Sequence, residues 1–105
     1  MTFEEFREHV LKLLAGHGEH IEGIEVFIYP TPIRFQEFLA QEPWARHVIK
    51  ESGDPEIWFA FADYTEESLG SHCRYILVAD QGKKLVTNLN AHFPPKLLPE
   101  MQKVV

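Results

Sequence analysis

Asp54–Tyr64 reads DPEIWFAFADY, and Arg74–Pro94 reads RYILVADQGKKLVTNLNAHFP. Two short runs, Ile57–Ala62 and Tyr75–Ala79, are rich in aromatic and β-branched residues, as buried strands require. A third run, Leu85–Leu89, follows a Gly-containing link that suits a short hairpin loop. Together these segments predict a three-stranded antiparallel meander as the spine of the fold.

The residues before the meander predict one strand and three helices. Residues 3–15 repeat apolar side chains at helical intervals behind a capping-box pattern. Ile24–Tyr29 alternates between apolar and other residues with the period of a strand. Thr31-Pro32 is typical of a helix start, and Pro43 predicts the start of a further helix that ends near Ser52-Gly53.

The predicted fold is a single α+β domain over residues 1–105, in the order α-β-α-α-β-β-β. Its helices are expected to pack on one face of a mainly antiparallel sheet of about four strands. The proline-rich end of the chain predicts a coil strapped across the domain, with at most a short helix. The side chains expected in the core come from every element: Phe6, Val10, Leu13, Val26, Ile28, Phe38, Trp44, Ile57, Phe59, Phe61, Leu77 and Leu85.

The chain carries a net charge of −6, and that charge is unevenly distributed. Residues 1–70 hold 14 Asp or Glu against five Lys or Arg, whereas residues 71–105 hold two against five. An acidic surface repels phosphate backbones and favours a basic protein partner. The chain has one cysteine, no long apolar run and no basic N-terminal signal, so a cytoplasmic domain without membrane contact is expected.

Histidine and cysteine clusters raise the question of metal or nucleophilic chemistry. His17 and His20 lie in a Gly-flanked segment near His9, but no H-E-x-x-H or paired C-x-x-C spacing accompanies them. A solvated turn is therefore favoured over a zinc site. Cys73 adjoins His72, but adjacent strand residues point to opposite faces, so a structural thiol is favoured over a catalytic one. No metal or cofactor is predicted.

The basic end of the meander supports a second hypothesis. Lys84 and Arg74 supply cations, Thr87 a hydroxyl and His92 an imidazole. Such groups could bind a scissile phosphate and move protons at a ribose 2′-OH without a metal. The structural alternative is that basic residues at sheet edges prevent edge-to-edge pairing and that Thr near a strand end serves a turn. The structural alternative is favoured.

The layout also resembles the small RelE/barnase-like ribonuclease fold of bacterial toxins and phage-encoded nuclease domains. Asp54–Trp58 is similar to the D-P-x-x-W-like start of the sheet in the phage barnase–EndoU–colicin–RelE-like group. Tyr75–Pro94 is similar to that group's closing hairpin, with its Thr and its F-P ending. RelE-type toxins are usually basic, whereas this chain is acidic, and only His47 corresponds to the histidine at a helix start of nuclease relatives. The resemblance implies phosphate-binding or acid–base roles for four residues: Arg74, Thr87, Lys84 and His92.

The favoured interpretation is a noncatalytic protein-interaction or regulatory module, of the inhibitor, immunity or antitoxin kind, with a basic protein as its partner. The alternative is a metal-independent endoribonuclease that acts on RNA through a basic C-terminal cleft. A homodimer is left open by either interpretation. The acidic residues predicted to contact the partner lie in the first two thirds of the chain: Glu4, Glu8, Asp63, Glu66 and Glu67.

Overall fold

A computed structural model of the chain describes residues 1–16, 24–64 and 72–105. Within these residues the fold is α+β, with two α-helices and a mainly antiparallel sheet of six strands. The helices are α1 (Phe3–Gly16) and α2 (Phe35–Gln41). The strands are β1 (Ile24–Ile28), β2 (Ile33–Arg34), β3 (Glu56–Tyr64), β4 (His72–Ala79), β5 (Lys84–Ala91) and β6 (Gln102–Lys103).

The sheet has the order β5-β4-β3-β1-β6, and the short β2 pairs with the start of β3. The predicted meander is confirmed, since β3, β4 and β5 are antiparallel neighbours with Trp58 opposite Val78 and Tyr75 opposite Leu89. The prediction of about four strands is too low. The two additional strands, β2 and β6, are each two residues long and therefore too short to show a strand period in the sequence.

Both faces of the sheet are buried, so the prediction that all helices pack on one face is wrong. Every residue from Ile57 to Ala62 on β3 is buried. On one face, here called the α1 face, the Phe6 ring lies 5.4 Å from the Trp58 ring. On the other, the α2 face, the Phe38 ring lies 5.0 Å from the Phe59 ring. The two faces thus hold two separate hydrophobic clusters.

Helix α1 begins with the capping box that the sequence predicted. The Thr2 amide donates to the Glu5 carboxylate at 3.0 Å, and the Glu5 amide donates to the Thr2 hydroxyl at 3.2 Å. Phe6, Val10 and Leu14 then form a fully buried stripe against the α1 face. Burying such side chains contributes roughly 1.5–3 kcal/mol each, which holds α1 on the sheet. Among the described residues, no helix is both long and apolar enough to cross a membrane.

Two helix predictions between β1 and β3 are wrong in their extent. The chain after Thr31-Pro32 first forms β2 and enters α2 only at Phe35. The helix expected from Pro43 is a single 3-10 turn, Pro43–His47. In the segment after this turn Ile49 is buried, but Val48 is 54% exposed because the turn ends before it can continue a helical stripe.

Nine of the twelve expected core residues are buried, Leu13 and Trp44 are partly buried, and β5 accounts for the clearest error. Leu85 is 50% exposed, although it was expected in the core. The pairing of β5 with β4 shifts register between Leu77 and Val78, and β5 lies at the edge of the sheet. A register shift changes which side chains face the core, so the alternation read from the sequence does not hold there.

The β4–β5 link contains three successive residues with positive φ, and only one of them is glycine. Gly82 has a φ of 91°, as the sequence predicted, and Asp80 and Gln81 have φ values of 54° and 59°. The N-terminal ammonium of Met1 donates to the Gln81 side-chain oxygen. The start of α1 is thereby attached to this link.

Residues 92–101, here called the C-terminal strap, cross the α2 face and lead into β6. The strap contains one 3-10 turn, Leu98–Glu100, as the proline content predicted. Its main polar anchor is Glu42, which is only 3% exposed. One Glu42 oxygen accepts from the Trp44 indole N–H at 2.7 Å, and the other accepts from the Lys96 amide at 2.7 Å.

We expect Glu42→Ala to lower the free energy of unfolding by about 1–3 kcal/mol, because it leaves two partly buried donors unpaired. Urea denaturation followed by tryptophan fluorescence measures this loss. The matched control is Glu37→Ala, which removes an exposed carboxylate from α2 and should change stability by no more than about 0.5 kcal/mol. Equal effects of the two substitutions would contradict an anchoring role for Glu42.

Candidate binding site

Titratable side chains meet at one end of the sheet, where β3 and β5 end and β1 and β4 begin. Glu25 on β1 lies directly opposite Asp63 on β3, and Asp63 lies opposite Cys73 on β4. Cys73 lies opposite Ala91, the last residue of β5. Asp63 is two residues beyond Phe61, so this row of side chains lies on the α2 face.

The C-terminal strap closes over this row and leaves a cavity of about 200 Å³. The sheet supplies the floor of the cavity, and the strap supplies its other wall. We call it the Asp63 pocket. Its lining residues are Phe61, Asp63, Cys73, His92, Phe93, Pro94 and Leu98.

The strap is held at the pocket through the backbone carbonyl of Phe93. The Tyr75 hydroxyl donates to this carbonyl at 2.9 Å, and the Cys73 thiol donates to it at 3.3 Å. The Phe93 ring is 45% exposed and lies edge-on to Trp44, with 5.2 Å between the ring centroids. Burial raises the pKa of the Tyr75 phenol, with smaller contributions from Glu42 and Cys73, so Tyr75 remains a donor at neutral pH.

Asp63 supplies the carboxylate of the pocket. It is half-buried, and within the described part of the chain its carboxylate has neither a hydrogen bond nor an ion pair. Burial raises the pKa of Asp63, and the negative charge of Glu25 raises it further. Glu25 itself has a cation nearby, since its carboxylate lies 3.7 Å from the Lys103 ammonium. The pocket therefore contains a carboxylate whose charged form lacks compensation.

The combination of thiol, imidazole and carboxylate in one pocket resembles a nucleophilic triad in composition, but the thiol is not activated. Cys73 is 3% exposed, and its proton points to the Phe93 carbonyl. Burial raises the pKa of Cys73; the hydrogen bond to Phe93 lowers it, and the charge of Asp63 raises it, so the net direction is upward. A reactive cysteine needs a lowered pKa, so the structural role that the sequence favoured agrees with this geometry.

The four residues of the ribonuclease hypothesis do not converge. Arg74 lies on the α1 face, where its guanidinium is 5.9 Å from the centre of the Tyr64 ring. Thr87 lies opposite Leu77 and so belongs to the α2 face. Lys84 and His92 lie at opposite ends of β5, roughly 25 Å apart along the strand. A single phosphate cannot contact groups placed on two faces and at two ends of a sheet.

Lys84, the first residue of β5, forms an ion pair with Glu51. Its ammonium lies 2.6 Å from the Glu51 carboxylate, an exposed Lys paired with a mostly covered Glu. The hydrogen bond to Glu51 raises the pKa of Lys84, so the lysine is fully charged and directed at this carboxylate. The Lys84 ammonium is thus engaged in an ion pair at the start of β5.

The predicted protein-binding residues are likewise divided. Glu4 and Glu8 are exposed on α1, on one side of the sheet, and Glu4 pairs with Arg7 at 3.4 Å. Asp63 opens on the other side. Glu66 and Glu67 lie outside the described residues, as do His17 and His20 of the histidine cluster. The described residues contain no group of three His, Cys, Asp or Glu side chains that could hold a metal ion.

The sequence did not single out Glu25, which lies beside the pocket opposite Asp63, or Phe93, which lines it. Glu25 gains its importance from the pairing of β1 with β3, strands that are separated by α2 and not adjacent in the chain. No local sequence pattern predicts that these two strands pair. Phe93 could be predicted from the sequence. It is an aromatic residue directly before Pro94-Pro95, at the start of the segment that was expected to cross the domain.

Comparisons of the chain with protein-family models, with curated proteins and with solved structures found no match. They neither support nor contradict the resemblance to RelE/barnase-like nucleases. The inference of function therefore starts from the Asp63 pocket.

We expect Cys73 to react with Ellman's reagent on the order of 100-fold more slowly in the folded protein than in the chain unfolded by guanidinium. Its burial and raised pKa leave little accessible thiolate. Because Cys73 is the only cysteine, the absorbance change reports this residue alone. Rapid stoichiometric labelling of the folded protein would contradict a structural thiol.

We expect Asp63→Asn to increase the free energy of unfolding at neutral pH. The folded-state pKa of Asp63 lies above its ordinary value of 3.8, so the folded state binds this proton more tightly than the unfolded chain does. The contribution of Asp63 to the free energy of unfolding therefore decreases as pH rises from below 3.8 through the raised pKa. The Asn variant has no carboxyl group at this position, so it does not show this decrease. Solvent screening limits the difference to no more than about 1 kcal/mol.

Urea denaturation of both proteins between about pH 3 and pH 7 measures this difference. The stability advantage of Asp63→Asn should grow as pH rises. Glu100→Gln, which neutralises an exposed carboxylate on the strap, is the matched control and should show no such growth. An advantage that shrinks with rising pH would contradict the raised pKa.

Proposed function

We propose that this chain is a noncatalytic protein-interaction module that binds a basic partner by receiving a lysine or arginine side chain in the Asp63 pocket. The observation that carries the proposal is the Asp63 carboxylate, which is half-buried, faces a second carboxylate at Glu25 and has no cation of its own among the described residues. A cation placed beside Asp63 would reverse the electrostatic cost of ionising it.

The shape of the pocket supports a long cationic side chain over a compact ion. Its walls include the rings of Phe61 and Phe93 and the apolar side chain of Leu98, and its volume is about 200 Å³. Lys and Arg bury their aliphatic stems against apolar surface while the head group reaches a charge. The exposed Phe93 ring adds a face for cation–π contact and the aromatic character of an interface hot spot.

The charge of the whole chain favours the same partner. A net charge of −6 attracts a basic protein over distance and repels nucleic acid. Glu4 and Glu8 on α1 contribute to this long-range field without sharing a surface with the pocket. The proposed activity is therefore that of an inhibitor, immunity or regulatory protein that covers a basic site on its partner.

The ribonuclease alternative has less support. Arg74 and Thr87 occupy opposite faces of the sheet, and two carboxylates, Asp63 and Glu25, lie near the pocket that contains His92. Carboxylates at this position repel a phosphate backbone. If the alternative were correct, the purified chain would cleave RNA in the presence of EDTA, and His92→Ala would abolish that cleavage.

The test uses ¹⁵N-labelled protein and three small probes: Nα-acetyl-lysine methylamide, its arginine counterpart and its norleucine counterpart. Norleucine has the aliphatic stem of lysine without the charge. We expect the two cationic probes to shift the amide resonances of Asp63, Cys73 and Phe93 with a Kd of about 1–10 mM, as suits one side chain. Norleucine should bind at least about fivefold more weakly, because it lacks the charge that Asp63 recognises.

Two variants separate recognition of the cation from contact with the stem. Asp63→Asn should remove the preference for lysine over norleucine, and Phe93→Ala should weaken all three probes. Glu100→Gln removes the same charge as Asp63→Asn but lies outside the pocket, so it should leave binding unchanged. Equal shifts with lysine and norleucine, or cation binding that survives Asp63→Asn, would contradict the proposal.

A further inference from the structure

Strand β5 is an open edge of the sheet. It pairs with β4 on one side, and no other strand of the described residues pairs with it on the other. The strand is eight residues long. An unpaired strand of this length presents a row of backbone N–H and C=O groups that can pair with another chain.

The two halves of β5 differ in how well they are protected from such pairing. The first half begins with Lys84, directly after Lys83, and contains the irregular register opposite Leu77 and Val78. Charged residues and bulges are devices that discourage edge pairing. The second half, Thr87–Ala91, has regular register with β4 and no charged side chain. The regular half is the part suited to accept a strand.

We propose that a second copy of this chain occupies this edge, with the two β5 strands antiparallel about a two-fold axis at Leu89. In this arrangement Leu89 faces Leu89 of the other copy, Thr87 faces Ala91, and Asn88 faces Asn90. The Leu and Asn pairs match in polarity, Thr87 and Ala91 are both small, and no like charges oppose each other. This proposal does not depend on the function proposed for the Asp63 pocket.

Leu89 suits the centre of the proposed dimer interface because it borders the apolar cluster of the α2 face. Leu89 and Val86 are partly buried and pack at the margin of that cluster. A second strand beside Leu89 covers the exposed side of this residue and joins the clusters of the two copies. Lys83 and Lys84 lie beyond the paired segment, so the four lysines of the dimer stay at its two ends.

The opposite edge of the sheet explains why pairing stops at two copies. That edge is β6, which has only two residues and includes the charged Lys103. Beyond β6, the Val105 carbonyl accepts from the Val26 amide at 3.2 Å. An edge so short and charged does not accept a strand, so β5 pairs only with β5 and the assembly closes with two-fold symmetry.

Sedimentation equilibrium of the full chain tests this inference. Five residue pairs bury less surface than a standard interface, so we expect a dimer of twice 12.2 kDa to form in the micromolar range, with loading concentrations up to about 100 µM. Because Leu89 faces itself, Leu89→Glu and Leu89→Lys should each sediment as monomers. An equimolar mixture of these two variants should recover the dimer, since opposite charges then meet at the axis.

The matched controls are Leu85→Glu and Leu85→Lys, which place the same charges on the same strand at an exposed position outside the paired segment. Both should remain dimeric. Circular dichroism checks that the Leu89 variants fold. If either does not, the pair Asn88→Lys/Asn90→Lys and Asn88→Glu/Asn90→Lys replaces them, and the first should be a monomer and the second a dimer.

A wild-type chain that stays monomeric at the highest concentration would overturn the inference, as would a dimer that persists in both Leu89 variants. A dimer that dissociates with the Leu85 charges but not with the Leu89 charges would also overturn it. Asp63→Asn should remain dimeric, so loss of cation binding and loss of the dimer are measured separately.

Discussion

The burial of β3 on both faces is the constraint on which the rest of the fold depends. Six successive residues of this strand, Ile57–Ala62, are buried, so both sides of the sheet must be covered. Antiparallel sheets commonly leave one face to water, and a chain of 105 residues has few elements for covering two. Among the described residues, α1 is the helix that covers one face. The other face is covered jointly by α2, the 3-10 turn after it and the C-terminal strap.

The candidate site forms because the C-terminal strap is one of the elements that cover the α2 face. The strap is irregular backbone laid over an apolar face, and its polar groups need buried partners. Glu42 supplies one partner, and the Tyr75 hydroxyl and Cys73 thiol supply others at the Phe93 carbonyl. These contacts hold the strap above the end of the sheet without filling the space beside Asp63. The groups that stabilise the strap are therefore distinct from the group proposed to bind the partner.

The sequence carries signs of this architecture beyond those that predict the meander and α1. The meander and α1 followed from period and capping, and both were confirmed. The absence of alternation in Ile57–Ala62 was itself a sign of two buried faces, because a half-exposed strand alternates. The prediction of helices on one face overlooked that sign.

Other features had no local signal. The pairing of Glu25 with Asp63 joins strands that lie almost forty residues apart, and periodicity says nothing about which strands become neighbours. The exposure of Leu85 follows from a register shift that only the partner strand reveals. The pocket is therefore predictable in its residue types, acidic and aromatic, but not in the contacts that bring them together.

In the proposed β5 dimer the two Asp63 pockets lie on the same side of the joined sheet. A two-fold axis through Leu89 that continues the sheet is perpendicular to it, so the α2 faces of both copies lie on the same side. Each Asp63 pocket adjoins the Ala91 end of its own β5, and the two Ala91 residues then lie roughly 15 Å apart. Two pockets on one side of a rigid sheet can engage two basic side chains of one partner. The second contact is then intramolecular, so millimolar recognition of single side chains becomes much tighter binding of a surface that presents two of them at matching spacing.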